Sequence, residues 1–362
     1  MVPWPAARVK SPIYVSDDME HDKRCNLEQP WHIGSVEIAA RIALAPMAGV
    51  SIQAYRCQGK RFGAALVCSE MISAAGLHYG SAATRRYLEI APGEHPIAIQ
   101  IFGSDPALMA EAARMAADRG ADLIDLNLGC PVKKVVSTGA GVALMSQPLL
   151  ACRVVEAMTR AVSVPITVKM RRGLEPESRT CIELAPMLVA AGASAIVLHP
   201  RSQRQMYGGS ADHSLTLELA ATLAVPVIAS GDVSSHERAC ELVSDGVAAV
   251  MVGRAAQGNP WLLKEIMTGE KCLPEQAEVV AELIRFMRET ALELGERRAS
   301  GFLKKFYGWY LRRGRFPREM RRELVETATL AAAEKLLLSR APGARMILNE
   351  TAQTASDVSP GR

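Results

Sequence analysis

Residues 96–127 read PIAIQIFGSDPALMAEAARMAADRGADLIDLN. The first seven residues form an apolar run of strand type. Asp105 and Pro106 then open a segment of helical periodicity, because Asp accepts hydrogen bonds from free helix N–H groups and Pro fixes a helical φ at the first turn. Gly120 closes that segment, and ADLIDLN (121–127) is a second apolar run. A strand, a helix of this length and a second strand buried on both faces make a parallel crossover unit.

The same unit repeats along the chain. Working outward, the other runs are RIALAPM (41–47), AALVCSE (64–70), PITVKMR (165–171), AIVLHP (195–200), PVIASG (226–231) and AAVMVG (248–253). SSHERACELVSDGV shows the same helix punctuation, with Ser at its start and Gly246 at its close. Eight such runs within about 220 residues match a (β/α)8 TIM barrel. The rival is a doubly wound open sheet. Its G-x-G-x-x-G turn is missing after RIALAPMAG, which favours the barrel.

Polar residues collect where these runs end: Pro46, Glu70, Gln100, Asn127, Lys169, His199, Ser230, Asp232, Gly253 and Arg254. In a barrel the C-terminal strand ends form the face where active sites are built. Any one of them could be a local accident; their convergence is the functional signal. Gly231 and Gly253, with Arg254, sit after the seventh and eighth runs, the usual phosphate position of these barrels. A phosphorylated ligand such as a mononucleotide cofactor suits them. Lys169 in a barrel interior needs an electron-rich partner. A flavin ring edge would serve, with Gln100 on the opposite edge; imine formation with a carbonyl substrate is the alternative. Cys130 follows Asn127 in LNLGCPVKK (126–134), on a turn rather than in a strand.

The ordered set APMAGVSIQAYR, SEM, IQIFGSDP, LNLGCPVKK, VKMRRG, ASGDV and VGRAAQGNPW resembles the tRNA-dihydrouridine synthases, most of all their bacterial B-type branch, over residues 36–265. The resemblance implies FMN held by Pro46, Met47, Ala48, Gln100, Lys169, His199, Ser230, Gly231, Asp232, Gly253 and Arg254. It implies NADPH as reductant, Cys130 as catalytic acid, and Asn127, Lys169 and Arg171 facing the uracil. Two departures stand out. Ser230 replaces the usual Asn, and HPRSQ (199–203) places Pro200 where a backbone N–H is usual. The acid role needs a thiol that stays protonated near neutrality, so Lys133 and Lys134 are expected to face RNA rather than Cys130.

Residues 297–322 hold ten Lys or Arg against one Glu, with six aromatics interleaved. Such a block suits a phosphate backbone, and Arg312, Arg313, Arg321 and Arg322 are the expected RNA contacts. The aromatics either stack on bases or pack the helix down. The substrate is expected to be tRNA, with ribosomal RNA as the alternative. A flavin dehydrogenase of free pyrimidines is a rival, opposed by the basic block and by the lack of clustered cysteines. A barrel that binds RNA without turnover is another, opposed by the presence of Cys130, Lys169 and the phosphate turn.

The chain carries 362 residues with a net charge of +4 and eight cysteines, no two of them two residues apart. That spacing suits neither zinc nor an iron–sulfur cluster, so no metal is expected. Scattered thiols, no signal segment and no membrane span suggest a cytoplasmic protein, taken as a monomer. The expected organisation is an N-terminal extension (1–35), the FMN-binding barrel (36–268), a helical RNA-binding domain (275–340) and a tail without order (341–362).

Overall fold

The computed structural model describes residues 25–357. Eight strands close into a barrel: β1 Ile42–Leu44, β2 Leu66–Cys68, β3 Ile97–Phe102, β4 Leu123–Leu128, β5 Ile166–Arg171, β6 Ala195–His199, β7 Val227–Ser230 and β8 Ala249–Val252. All neighbours pair in parallel. β8 returns to β1 through Val250–Ile42 and Val252–Leu44, which closes the ring. A two-residue strand, Ile72–Ser73, adds to the rim beside β3.

Alternation along each strand divides the residues between two environments. Ile97, Ile99, Ile101, Ile124, Leu126, Val168, Ile196, Leu198 and Val250 face outward into one large core shared with the helices. Ala43, Leu66, Ala98, Leu123, Ala195, Ile228 and Ala249 face inward and form an apolar floor. An antiparallel hairpin, Trp31–Ile33 with Val36–Ile38, plugs that floor with Trp31, Ile33 and Ile38. Period-two strands with aliphatic residues on both faces are what a barrel wrapped by helices demands.

The helix signals behave as read. The Asp105 carboxylate accepts from the N–H groups of Ala107 and Leu108 at the start of helix Pro106–Asp118, and Ser235 caps helix His236–Ser244. Gly120 and Gly246 adopt positive φ at the exits.

Beyond the linker lie five helices: α1 Gln276–Leu294, α2 Glu296–Arg313, α3 Arg318–Glu326, α4 Leu330–Arg340 and α5 Ala344–Asp357. The last corrects the expectation of a tail without order from 341. Ala344 is buried, Ile347 and Leu348 pack on the core, and their i, i+3, i+4 spacing makes one apolar face. Of the expected N-terminal extension, residues 1–24 lie outside the described residues. Among the described residues no helix is long and apolar enough to cross a membrane.

α1 and α2 dock onto barrel helix Gln53–Arg61 through an aromatic cluster of Tyr55, Phe286, Phe306 and Tyr310. Tyr310 donates to Gln58 Oε1 at 2.8 Å, and Gln58 donates to Glu282 at 2.7 Å. Of the six aromatics in the basic block, Phe306, Tyr307 and Tyr310 are buried. Their role is packing rather than base stacking.

Candidate active site

Above the apolar floor the barrel interior turns polar. Parallel register sets Gln100 beside Asp125, Asp125 beside Thr167, Asn127 beside Lys169, and Arg171 beside His199. Each of these positions is two residues from the next on its strand, so all share the inner face.

The hydrogen bonds run in a line. Thr167 Oγ1 donates to Asp125 Oδ1 at 2.6 Å, and Gln100 Nε2 donates to Asp125 Oδ2 at 2.7 Å. Asn127 Nδ2 donates to Gln100 Oε1 at 2.8 Å. Asn127 Oδ1 then accepts the backbone N–H groups of Gly129 (3.1 Å) and Cys130 (2.9 Å). The cysteine turn therefore hangs from the polar layer of the barrel.

Cys130 is buried and touches the side chains of Val135 and Ala140, with Met71 and Phe102 alongside. Burial pushes its thiol up; the Val132 N–H and the Arg171 charge pull the other way without cancelling the effect. The thiol thus keeps its proton at neutral pH. Lys133 and Lys134 are exposed.

Arg171 is almost wholly buried. Its Nε donates to Gly129 O, and Nη1 donates to Ser202 O and Met206 O. Nη2 has no hydrogen-bond partner among the described residues, so it remains available above the thiol turn. Lys169 has no hydrogen-bond partner there either. Burial drives its amine down to about 8, with the Asp125 charge opposing and the Arg171 charge assisting that fall. His199 is pushed down to about 2 by burial and by four surrounding cations, so its imidazole is neutral and serves as a polar wall.

The turn after β7 requires glycine. Gly231 has φ +114°, and a Cβ there would meet His199 Cδ2 at 2.6 Å. Asp232, expected among the cofactor contacts, spends its carboxylate elsewhere: Arg201 clasps it and Ala211 N–H donates to it. The carboxylate thus holds the turn itself together. Next to it Gly253 approaches Ala45 and Met47, and the half-exposed Arg254 lies 3.7 Å from Asp232 and 4.4 Å above the Tyr207 ring. Ser230 is buried at the end of β7.

The loop after β1 supplies Pro46, Met47 and Ala48. The buried Ser51 hydroxyl accepts the Met47 N–H and donates to Ala45 O, which fixes the loop. That leaves the exposed Ala48 N–H without a partner among the described residues. A lysine without a hydrogen-bond partner in the lumen, an open N–H on the first loop, a glycine turn and the half-exposed Arg254 guanidinium together fit a group with an electron-rich ring edge and a phosphate.

The four arginines expected to touch RNA do not act alike. Arg312, Arg321 and Arg322 are exposed. Arg313 is not: its Nη2 donates to Glu265 Oε1 at 2.5 Å and to Cys272 O, clamping the linker to α2. Arg313 is therefore corrected to an internal clamp. Sequence reasoning gave Asp125 no role and passed over Arg201 and Tyr207. Asp125 carried a signal, being a polar residue inside an apolar strand in phase with Asn127. Arg201 and Tyr207 sit in a loop whose partners come from distant strands, and carried none.

The family model for dihydrouridine synthase matches residues 43–344. A protein named tRNA-dihydrouridine synthase B from Shewanella oneidensis is 39% identical over 289 residues, covering 77% of this chain and 88% of the relative. The protein of the same name from Pseudomonas aeruginosa is 37% identical over 286 residues, covering 77% and 86%. Among solved structures, histamine dehydrogenase from Rhizobium sp. superposes with a TM-score of 0.55 at 15% identity, covering 74% of this chain and 51% of that one. Morphinone reductase gives 0.52 at 16%, covering 68% and 90%. At that identity these two speak for the barrel fold alone.

Proposed function

Because the chain belongs to the dihydrouridine synthase family, and so is a flavin-dependent oxidoreductase, we propose that it holds FMN, draws electrons from NADPH and reduces the C5–C6 double bond of uridines in tRNA. The observation that carries this reading is the buried Cys130 on a turn whose N–H groups are held by Asn127 and whose Gly129 carbonyl is held by Arg171.

A bound flavin would supply the hydride that C6 of the uracil accepts. Lys169 would face the electron-rich ring edge, and the 231–232 backbone with Gly253 and Arg254 would hold the phosphate. Cys130 gives its proton to C5 of the uracil and later recovers one from solvent; burial keeps that proton in place until it is needed. Asn127 Nδ2 and Arg171 Nη2 orient the uracil carbonyls, since each has an N–H donor left over. Cys130 is buried in the barrel, so a uridine must leave its stack to reach it, at a cost of about a few kcal/mol offset by contacts inside the barrel.

The decisive experiment maps dihydrouridine in cellular RNA with and without the gene, complemented by wild type or Cys130→Ala. The reading expects tRNA positions to vanish on deletion and to return only with wild type, while purified Cys130→Ala stays yellow, with absorbance at about 450 nm. Loss confined to ribosomal RNA would move the substrate; full rescue by Cys130→Ala would refute the acid.

A further inference from the structure

We propose that Asp125 is a positioning residue that sets, through Gln100 and Asn127, the conformation of the Gly129–Cys130 turn and hence the aim of the thiol. The inference deepens the proposed function and rests on it for the meaning of that aim.

The argument concerns the direction of donation. The line of hydrogen bonds has two ends whose character is fixed. At one end the Asp125 carboxyl, 2% exposed, receives a donor on each oxygen, Gln100 Nε2 on one and the Thr167 hydroxyl on the other. At the other the Gly129 and Cys130 N–H groups can only donate. Between them sit two amides, each of which presents an oxygen on one side and a nitrogen on the other. With Asp125 accepting, Gln100 must turn its nitrogen down and its oxygen toward Asn127. Asn127 must then give its nitrogen to Gln100 and keep its oxygen for the turn. Reversing either amide would set two donors face to face inside a low-dielectric barrel, where an unmade hydrogen bond is costly. Asp125 itself is held by Thr167 from the far side, so the line is anchored in the barrel wall. Burial raises the Asp125 carboxyl, while the Gln100 and Thr167 donors and the Lys169 charge oppose that rise.

The test separates direction from charge. Asp125→Asn keeps an acceptor toward Gln100 and can offer its nitrogen to the Thr167 hydroxyl, so the line survives. Asp125→Leu removes the acceptor. Iodoacetamide labelling of Cys130, followed by peptide mass spectrometry on the flavin-loaded protein, reads the turn without requiring turnover. The Leu variant is expected to change the Cys130 labelling rate by roughly tenfold or more. It should also lower kcat by at least about tenfold with KM for RNA within about threefold. The Asn variant should keep both near wild type. Where Asp125→Leu prevents folding, Gln100→Met cuts the line one link later and carries the same labelling expectation. Equal labelling rates in the Leu variant and wild type, or an Asn variant as disturbed as the Leu variant, would overturn the proposal. Failure of the proposed function shows separately, as turnover that ignores Cys130→Ala while labelling still follows the Asn and Leu variants.

Discussion

Arg201 holds Asp232 with both arms of its guanidinium, Nη1 to Oδ1 at 2.9 Å and Nη2 to Oδ2 at 2.6 Å, and so ties the loop after β6 to the turn after β7. The same arginine donates to the carbonyls of Gly208 and Gly209 and is 2% exposed. Asp232 has φ 53°, a left-handed conformation that a residue with a side chain adopts only when held. The pair replaces in part what Pro200 cannot give, since that residue has no N–H to order the loop.

Arg201→Met should therefore cost about 3 kcal/mol, the low end for breaking a buried pair because Asp232 retains water contact. The pH dependence has a definite sign. Burial raises the Asp232 carboxyl, but Arg201, the Ala211 N–H and Arg254 outweigh it and leave it below the usual range. A depressed carboxyl contributes stability above its unfolded value of about 4, and loses it as pH falls through the folded value. Urea unfolding of both proteins at neutral and acid pH should show the gap narrow below about pH 4. A gap that stays constant would mean the carboxylate contributes nothing.

Lys169 also makes stability rise with pH, but in an alkaline window. Its folded-state value of about 8 lies below the ordinary lysine value. Between about 8 and about 10.4 the unfolded chain keeps a proton that the folded chain has released, so stability rises with pH in that window. In flavin-free protein Lys169→Met should be more stable than wild type at pH 7, and its advantage should shrink as pH approaches about 10. Denaturant midpoints across that range check this. The same variant should hold flavin more weakly, because the ring edge loses its cation.

Glu293 of α1 couples the helical region to the loop after β1, proposed above to meet the cofactor. Its two carboxylate oxygens accept the N–H groups of Gln53 and Ala54 at 3.0 and 2.9 Å, at the start of a helix whose own N-cap residue, Ile52, offers no side-chain acceptor. Lys305 of α2 donates to Gly49 O in the adjoining loop. Glu293→Ala should cost about 1–2 kcal/mol by loss of the cap. It should also loosen the loop that carries Met47 and Ala48, so that flavin titration by fluorescence gives a several-fold weaker Kd. Glu293→Gln keeps one acceptor and should fall between. A change in melting temperature without any change in flavin affinity would show that the loop is held by Ser51 alone.

How much of this was legible in the sequence follows from where each signal lives. The strand positions and the rim residues Gln100, Asn127, Lys169 and His199 could be read because alternation and turn chemistry are local. The caps at Asp105 and Ser235 are local as well. Arg313 was misread because charge alone cannot say which way a helical side chain turns; its partner Glu265 lies 48 residues earlier. Helix α5 was missed because its short apolar face has meaning only once α1 lies beside it. Arg201 was hidden for the same reason, since Asp232 reaches it only through the adjacency of β6 and β7.

The split among the basic residues of α2 and α3 yields the last test. Arg312, Arg321 and Arg322 face solvent, whereas Arg313 is engaged with Glu265 and Cys272. Each exposed arginine that meets a phosphate releases condensed counterions, so its loss flattens the slope of log K against log salt by about 0.7–0.9. Changing all three to Glu should weaken tRNA binding strongly and flatten that slope by roughly 2–3, with little change in melting temperature. Arg313→Ala should do the reverse. It leaves Glu265 with the Cys272 N–H as its remaining donor and strands the Cys272 carbonyl, lowers stability by about 2 kcal/mol and leaves the salt slope where it was. Filter-binding isotherms at several salt concentrations, paired with thermal melts, separate the two classes. A flattened slope for Arg313→Ala would mean that the clamp opens when RNA docks and that its guanidinium turns outward.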